Sequence, residues 1–185
     1  MKTLWTTCLV LLLASFAIAE EFAAPILLTS GGQSADAQMV KTLLMREKIP
    51  YDLNLQATSK DLENHATVVI VLGGSSKGLG AAKVSAEQES ARISELLDKA
   101  REESIPVLAL HIGGKNRRGA LSDEFNRLGA EKADEVIVVS GGDDDGMFKS
   151  IAKEKKTPIF EAAKIADLGP MLRERFVAPE ETSEE

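Results

Sequence analysis

The strongest constraint on folding in this chain is a segment that is apolar on both faces, Thr67-Val68-Val69-Ile70-Val71-Leu72, followed at once by Gly73-Gly74. Six β-favouring residues without alternation leave no side for water. Such a strand belongs in the middle of a parallel sheet with helices on both faces. The same theme recurs along the chain. Pro25-Ile26-Leu27-Leu28-Thr29, Pro106-Val107-Leu108-Ala109-Leu110 and Val136-Ile137-Val138-Val139 read as further strands, and Thr157-Pro158-Ile159-Phe160 as one at an edge, where a proline is tolerated. Tyr51-Asp52-Leu53-Asn54-Leu55 alternates, as an edge strand with one wet face does.

Between these runs the period switches to that of a helix. Met39, Val40, Leu43 and Leu44 mark residues 35–48, and Ile93, Leu96, Leu97 and Ala100 mark 86–104, where Ser85 and Gln88 form a capping box. Shorter helices are expected near 121–128, near 146–155 and from Pro170 to Phe176. Strand–helix alternation with strands apolar on both faces predicts a single three-layer α/β/α sandwich, Rossmann-like or flavodoxin-like, with a mostly parallel sheet of about five or six strands.

The first 19 residues stand apart. Lys2 precedes an apolar run from Leu4 to Phe16, which ends in Ala17-Ile18-Ala19, a small-x-small cleavage pattern. The run falls short of the roughly 20 residues that span a bilayer. Residues 1–19 are therefore expected to be a signal peptide, 20–177 the α/β domain, and 178–185 a disordered acidic tail. The expected location is the periplasm or the cell exterior, with no membrane span left after cleavage.

Cleavage would change the composition that matters. The 22 basic and 29 acidic side chains of the whole chain become 21 and 29, a net of −8, and the only cysteine and the only tryptophan leave with the signal. An acidic domain does not carry the basic field that nucleic acid requires. Without cysteine there is no disulfide, no thiolate metal site and no cysteine nucleophile. Six aromatic residues remain, too few to favour sugar or choline sites, which rely on aromatic faces.

Four Gly-Gly pairs, Gly31-Gly32, Gly73-Gly74, Gly113-Gly114 and Gly141-Gly142, each follow an expected strand. In a parallel sheet those positions share the carboxyl edge, where ligands bind at the point of strand-order reversal. Amides of a Gly/Ser loop can cradle an anion. The expected ligand-binding residues are thus Gly31, Gly32, Gln33 and Ser34 in the first loop, and Gly73, Gly74, Ser75, Ser76, Lys77, Gly78 and Gly80 in the second. His111, Gly113, Gly114, Arg117 and Arg118 belong to the third, and Lys115 adds a further positive charge there. Asp36, in the first turn of the first helix, would repel an anion.

Catalytic candidates are few. His111 ends a strand where a general base can sit, and Ser75 or Ser76 is the loop nucleophile it would serve, although no Gly-x-Ser-x-Gly elbow is present. His65 sits at the opposite edge and reads as structural. Asp143-Asp144-Asp145 reads as a solvated turn, since adjacent carboxylates point apart, and no metal site or cofactor is expected.

Gly74, Gly78 and Gly80 resemble the G-x-x-x-G-x-G turn of short-chain dehydrogenases, which would imply a nicotinamide cofactor with Lys115, Arg117 and Arg118 near a 2′-phosphate. The turn follows the third strand rather than the first, and the Tyr-x-x-x-Lys pair is missing, because Tyr51 is followed by Asp-Leu-Asn-Leu. A closer resemblance rests on three strings: Pro-Ile-Leu-Leu-Thr-Ser-Gly-Gly-Gln-Ser-Ala-Asp-Ala-Gln, Val-Leu-Gly-Gly-Ser-Ser-Lys-Gly-Leu-Gly-Ala-Ala and Leu-His-Ile-Gly-Gly-Lys-Asn-Arg-Arg-Gly. Together they resemble a group of small exported bacterial proteins classed as a domain of unknown function. The resemblance covers roughly residues 25–176 and implies a Rossmann-like domain from a bacterium, with no established activity or site residues.

These readings lead to an expected non-enzymatic domain that holds a small anionic ligand, a carboxylate or phosphate ester, at the carboxyl edge. Two alternatives use the same edge: a small hydrolase or transferase built on His111 and a loop serine, and a module that docks a periplasmic protein partner.

Overall fold

A computed structural model describes residues 22–177 of the chain. The expected signal peptide, the first two residues of the expected domain (20 and 21) and the acidic tail from Ala178 fall outside those residues. Six strands form one all-parallel sheet: β1 (Ile26–Gly31), β2 (Tyr51–Leu53), β3 (Thr67–Leu72), β4 (Val107–His111), β5 (Glu135–Val139) and β6 (Ile159–Ala162), in the spatial order β2-β1-β3-β4-β5-β6. Every residue of β1, β3 and β4 is buried, while β2 and β6 are half-exposed edges. This is the single α/β sandwich that the apolar runs demand.

The helices are α1 (Asp36–Arg46), α2 (Ser76–Ala82), α3 (Ala86–Glu102), α4 (Ala120–Lys132), α5 (Met147–Lys155) and α6 (Leu168–Phe176). Strand side chains alternate between two cores. Leu27, Val68, Ile70, Leu72, Ala109 and Val136 pack against Ile93, Leu96 and Leu97 of α3, Phe125 of α4 and Phe148 of α5. Ile26, Leu28, Val69, Val71, Leu108 and Ile137 pack against Val40 and Leu44 of α1 and Leu172 of α6. The period of two in each strand therefore sends alternate residues into opposite layers.

The capping box that opens α3 is present, with Ser85 Oγ accepting from the Gln88 amide and Gln88 Oε1 accepting from the Ser85 amide. The sequence pattern and the structure differ most at α2. Residues 76–82 read as a glycine loop, because two glycines in seven residues weaken a helix, yet they form α2. Burial of Leu79 and the Ser75 cap, whose Oγ accepts from the Gly78 amide at 3.1 Å, supply what propensity lacks. Helix α6 begins at Leu168 instead of Pro170, which places the proline in the first turn, where its missing N–H has no intrahelical partner to lose. No helix among the described residues is long and apolar enough to cross a membrane.

Candidate functional site

Strand order reverses between β1 and β3, so the loops after these strands face one another across the switch point. All four glycine pairs lie at this carboxyl edge, as their spacing implies. What the loops do there differs from an open cradle. The Gly73 amide donates to the Gly31 carbonyl at 2.9 Å, and the Ser75 amide donates to the Gly32 carbonyl at 2.9 Å. The Gly74 amide donates to Ser122 Oγ at 3.1 Å. A single antiparallel bridge joins Gln33 to Gly74. The Gly73 and Ser75 amides are spent on zipping one loop to the other, and that of Gly74 on tying the second loop to α4. Gly78 serves the same closure, since a Cβ there would fall 1.8 Å from the Gln33 carbonyl oxygen.

Beneath this zipper lies a charged pair with no signal in the sequence pattern. Glu89 of α3, with a fully buried side chain, accepts from the Gly32 amide at 3.0 Å and from Gln33 Nε2 at 3.1 Å. Arg92 Nε and Nη2 donate to the same carboxylate at 2.9 and 2.8 Å, and Arg92 Nη1 and Nη2 reach the Ala57 and Ser30 carbonyls. Gln33 Nε2 also donates to the Leu55 carbonyl, from a backbone held at φ +58°. The network ties the ends of β1 and β2 to α3. Ser34 is buried, and its Oγ accepts from the Asp36 amide at 3.2 Å.

The basic residues of the third loop have separate fates. Arg118 is consumed: Nε donates to Asp123 at 2.7 Å, Nη1 to the Gly142 carbonyl at 2.6 Å, and Nη1 and Nη2 to the two oxygens of Asp145 at 2.9 and 2.8 Å. The Arg118 guanidinium in turn pulls the Asp145 carboxyl down to about 2. Lys115 pairs with Asp144 at 2.6 Å at the surface. Asp143 accepts from the Phe148 and Lys149 amides and so caps α5. The three consecutive aspartates thus hold an arginine, a lysine and a helix end. Lys115, Arg118, Asp123, Gly141, Asp144 and Asp145 line an open hollow of about 340 Å³, in which carboxylates outnumber cations and every charge is paired.

Arg117 is different. Its Nε donates to Asp36 Oδ2 at 3.0 Å, while Nη1 and Nη2 have no partner among the described residues. The aliphatic stem lies along the glycine loops, and Gly113 is what lets it lie there. A Cβ at Gly113 would fall 1.9 Å from Arg117 Cγ and 2.8 Å from Asp36 Oδ2. Asp36 therefore anchors the guanidinium instead of simply repelling an anion from α1. Lys77 and Ser76 are exposed on the first turn of α2, and Gly80 faces open space.

The expected pairing of His111 with a loop serine is not formed. His111 is wholly buried, its Nε2 lies 3.3 Å from the Gly114 carbonyl, and its ring sits 5.0 Å from that of Phe148 and against Gly142. Burial pushes its pKa below the ordinary value. No hydrogen bond joins it to Ser75, whose Oγ is occupied as the cap of α2, or to Ser76. In this arrangement the imidazole is enclosed and makes no contact with either serine. His65, at the other edge, contacts Asp52 at 3.1 Å.

No curated protein sequence matches this chain. Among solved structures, a GDSL-like lipase from Bacteroides thetaiotaomicron is similar at 12% identity with a TM-score of 0.37, over 77% of this chain and 68% of that one. AlinE4, an SGNH-hydrolase family esterase, is similar at 14% identity with a TM-score of 0.32, over 77% of each chain. Overlaps this loose carry no argument about chemistry. The sequence match is far more extensive: residues 23–176 fit the family model described as a domain of unknown function (DUF6305), and the chain belongs to that family.

Proposed function

We propose that this protein is a small exported domain that binds a carboxylate or phosphate ester without transforming it, and that Arg117 is the principal contact. The observation that supports this is the half-used guanidinium. Nε is fixed by a buried aspartate, and the two terminal nitrogens are left unpaired at the switch point of a parallel sheet. A planar fork held from behind suits bidentate capture of two anionic oxygens, with little rotamer entropy left to lose. The export part of the reading rests on the basic start, apolar run and Ala17-Ile18-Ala19 of the N-terminus.

The loop amides play a different part in this reading. Those of Gly32, Gly73, Gly74 and Ser75 are already paired within the protein, so they shape the rim and the arginine makes the contact. The test is calorimetric titration of the purified protein with inorganic phosphate and with a panel of small carboxylates. A charge-assisted hydrogen bond contributes about 1.5–3 kcal/mol, so Arg117→Ala is expected to weaken the tightest ligand roughly 10- to 100-fold. Arg118→Ala acts on stability through lost ion pairs. Binding that survives Arg117→Ala unchanged would overturn the assignment.

A further inference from the structure

Building on the reading of Arg117 as an anion fork, we infer that the ligand is amphoteric: a free α-amino acid or the like, presenting a carboxylate to Arg117 and an ammonium group to Asp36. The inference comes from what the Asp36–Arg117 contact leaves over. Only Oδ2 of Asp36 is engaged, at 3.0 Å from Arg117 Nε, and Oδ1 has no hydrogen-bond partner among the described residues. The Asp36 amide is turned to Ser34 Oγ, and the carboxylate is one-tenth exposed. One oxygen of Asp36 and the two terminal nitrogens of Arg117 are thus left without a partner on either side of one ion pair, between the loops that follow β1 and β4.

A simple anion matches only half of this arrangement. It would gain the fork and meet the uncompensated Asp36 oxygen at close range, a repulsion that the single Arg117 charge must also offset. A ligand whose cationic donor sits one or two bonds from its carboxylate satisfies both groups at once. The other two basic side chains of the third loop do not alter this balance, since Arg118 is engaged by Asp123 and Asp145, and Lys115 pairs with Asp144. The backbone allows the pair to form because Gly113 clears space for both the Arg117 stem and Asp36 Oδ2. Asp36 is here a specificity-determining residue and Arg117 the anchoring one.

The experiment titrates the purified protein with the twenty common L-amino acids. Each is matched with the carboxylic acid that lacks its α-ammonium group, and inorganic phosphate is run alongside. At least one amino acid is expected to bind tenfold or more tightly than its matched acid. Asp36→Asn should shrink that ratio to about twofold or less. The preference should also fade as pH rises through the ligand's own ammonium titration, a readout that a purely structural Asp36 would not move. Matched acids or phosphate binding as well as the amino acids would overturn the inference and leave the Arg117 anion site standing. A ratio unchanged by Asp36→Asn and flat with pH would do the same. Failure of every probe, phosphate included, would remove both.

Discussion

Glu89→Ala offers the most direct check of how the switch point is held together. The Glu89 side chain is fully buried and that of Arg92 is only 12% exposed, so the pair is far from an ordinary surface i,i+3 contact. The carboxylate receives hydrogen bonds from Gly32, Gln33 and Arg92, each between 2.8 and 3.1 Å. Truncating it leaves a buried guanidinium without a counter-charge and two donors without acceptors. Breaking a buried pair from one side costs about 3–5 kcal/mol, which for a domain of this size lowers Tm by roughly 6–20 °C. Urea and thermal unfolding followed by far-UV circular dichroism would measure it. Arg92→Met should cost a similar amount. The double variant Glu89→Ala/Arg92→Met should lose clearly less than the sum, with a coupling of about 1–3 kcal/mol. A loss below about 1 kcal/mol for Glu89→Ala, the range of exposed ion pairs, would refute the reasoning.

Two pH effects follow from the same edge. His111 titrates below its ordinary 6.5 because it is buried, so the unfolded chain takes up its proton first as pH falls. Its contribution to stability is complete above 6.5 and is lost below it, and His111→Gln should flatten this part of the stability curve; equal pH slopes in the two proteins would contradict the burial argument. Asp145 is drawn from 3.8 to about 2 by Arg118, so the stabilisation it brings is present above 3.8 and disappears as pH drops toward 2. A nuclear magnetic resonance titration of its carboxyl carbon should show this low midpoint, and a midpoint near 3.8 would mean that the clamp on Gly142 and Asp145 does not hold in solution.

Much of the architecture is legible from local chemistry. A central parallel strand must be apolar on both faces, so Thr67–Leu72 announces β3, and the alternation in Tyr51–Leu53 and the proline before Ile159 announce the two edges. Ser85 and Gln88 announce the start of α3, because a cap is satisfied within three residues of itself. The position of the glycine pairs also follows locally, since each simply terminates a strand.

What escapes such reading depends on partners distant in the chain. Gly78 and Gly80 argue against a helix, yet α2 forms because Leu79 has a core to enter and Gly78 can meet the Gln33 carbonyl. Glu89 looks like one more acidic residue on the polar face of a helix, until the β2-β1-β3 order brings α3 under Gly32 and Gln33, more than fifty residues earlier in the chain. Asp36 reads as a charge that repels anions, and only the fold shows it gripping Arg117 across 81 residues of sequence. The sequence alone determined the strands, every helix but α2, and which edge gathers the loops, because hydrophobic period and capping act over a few residues. Tertiary structure decided which donors at that edge are spent and which remain free, because a hydrogen bond or ion pair between distant loops leaves no periodic trace in the chain.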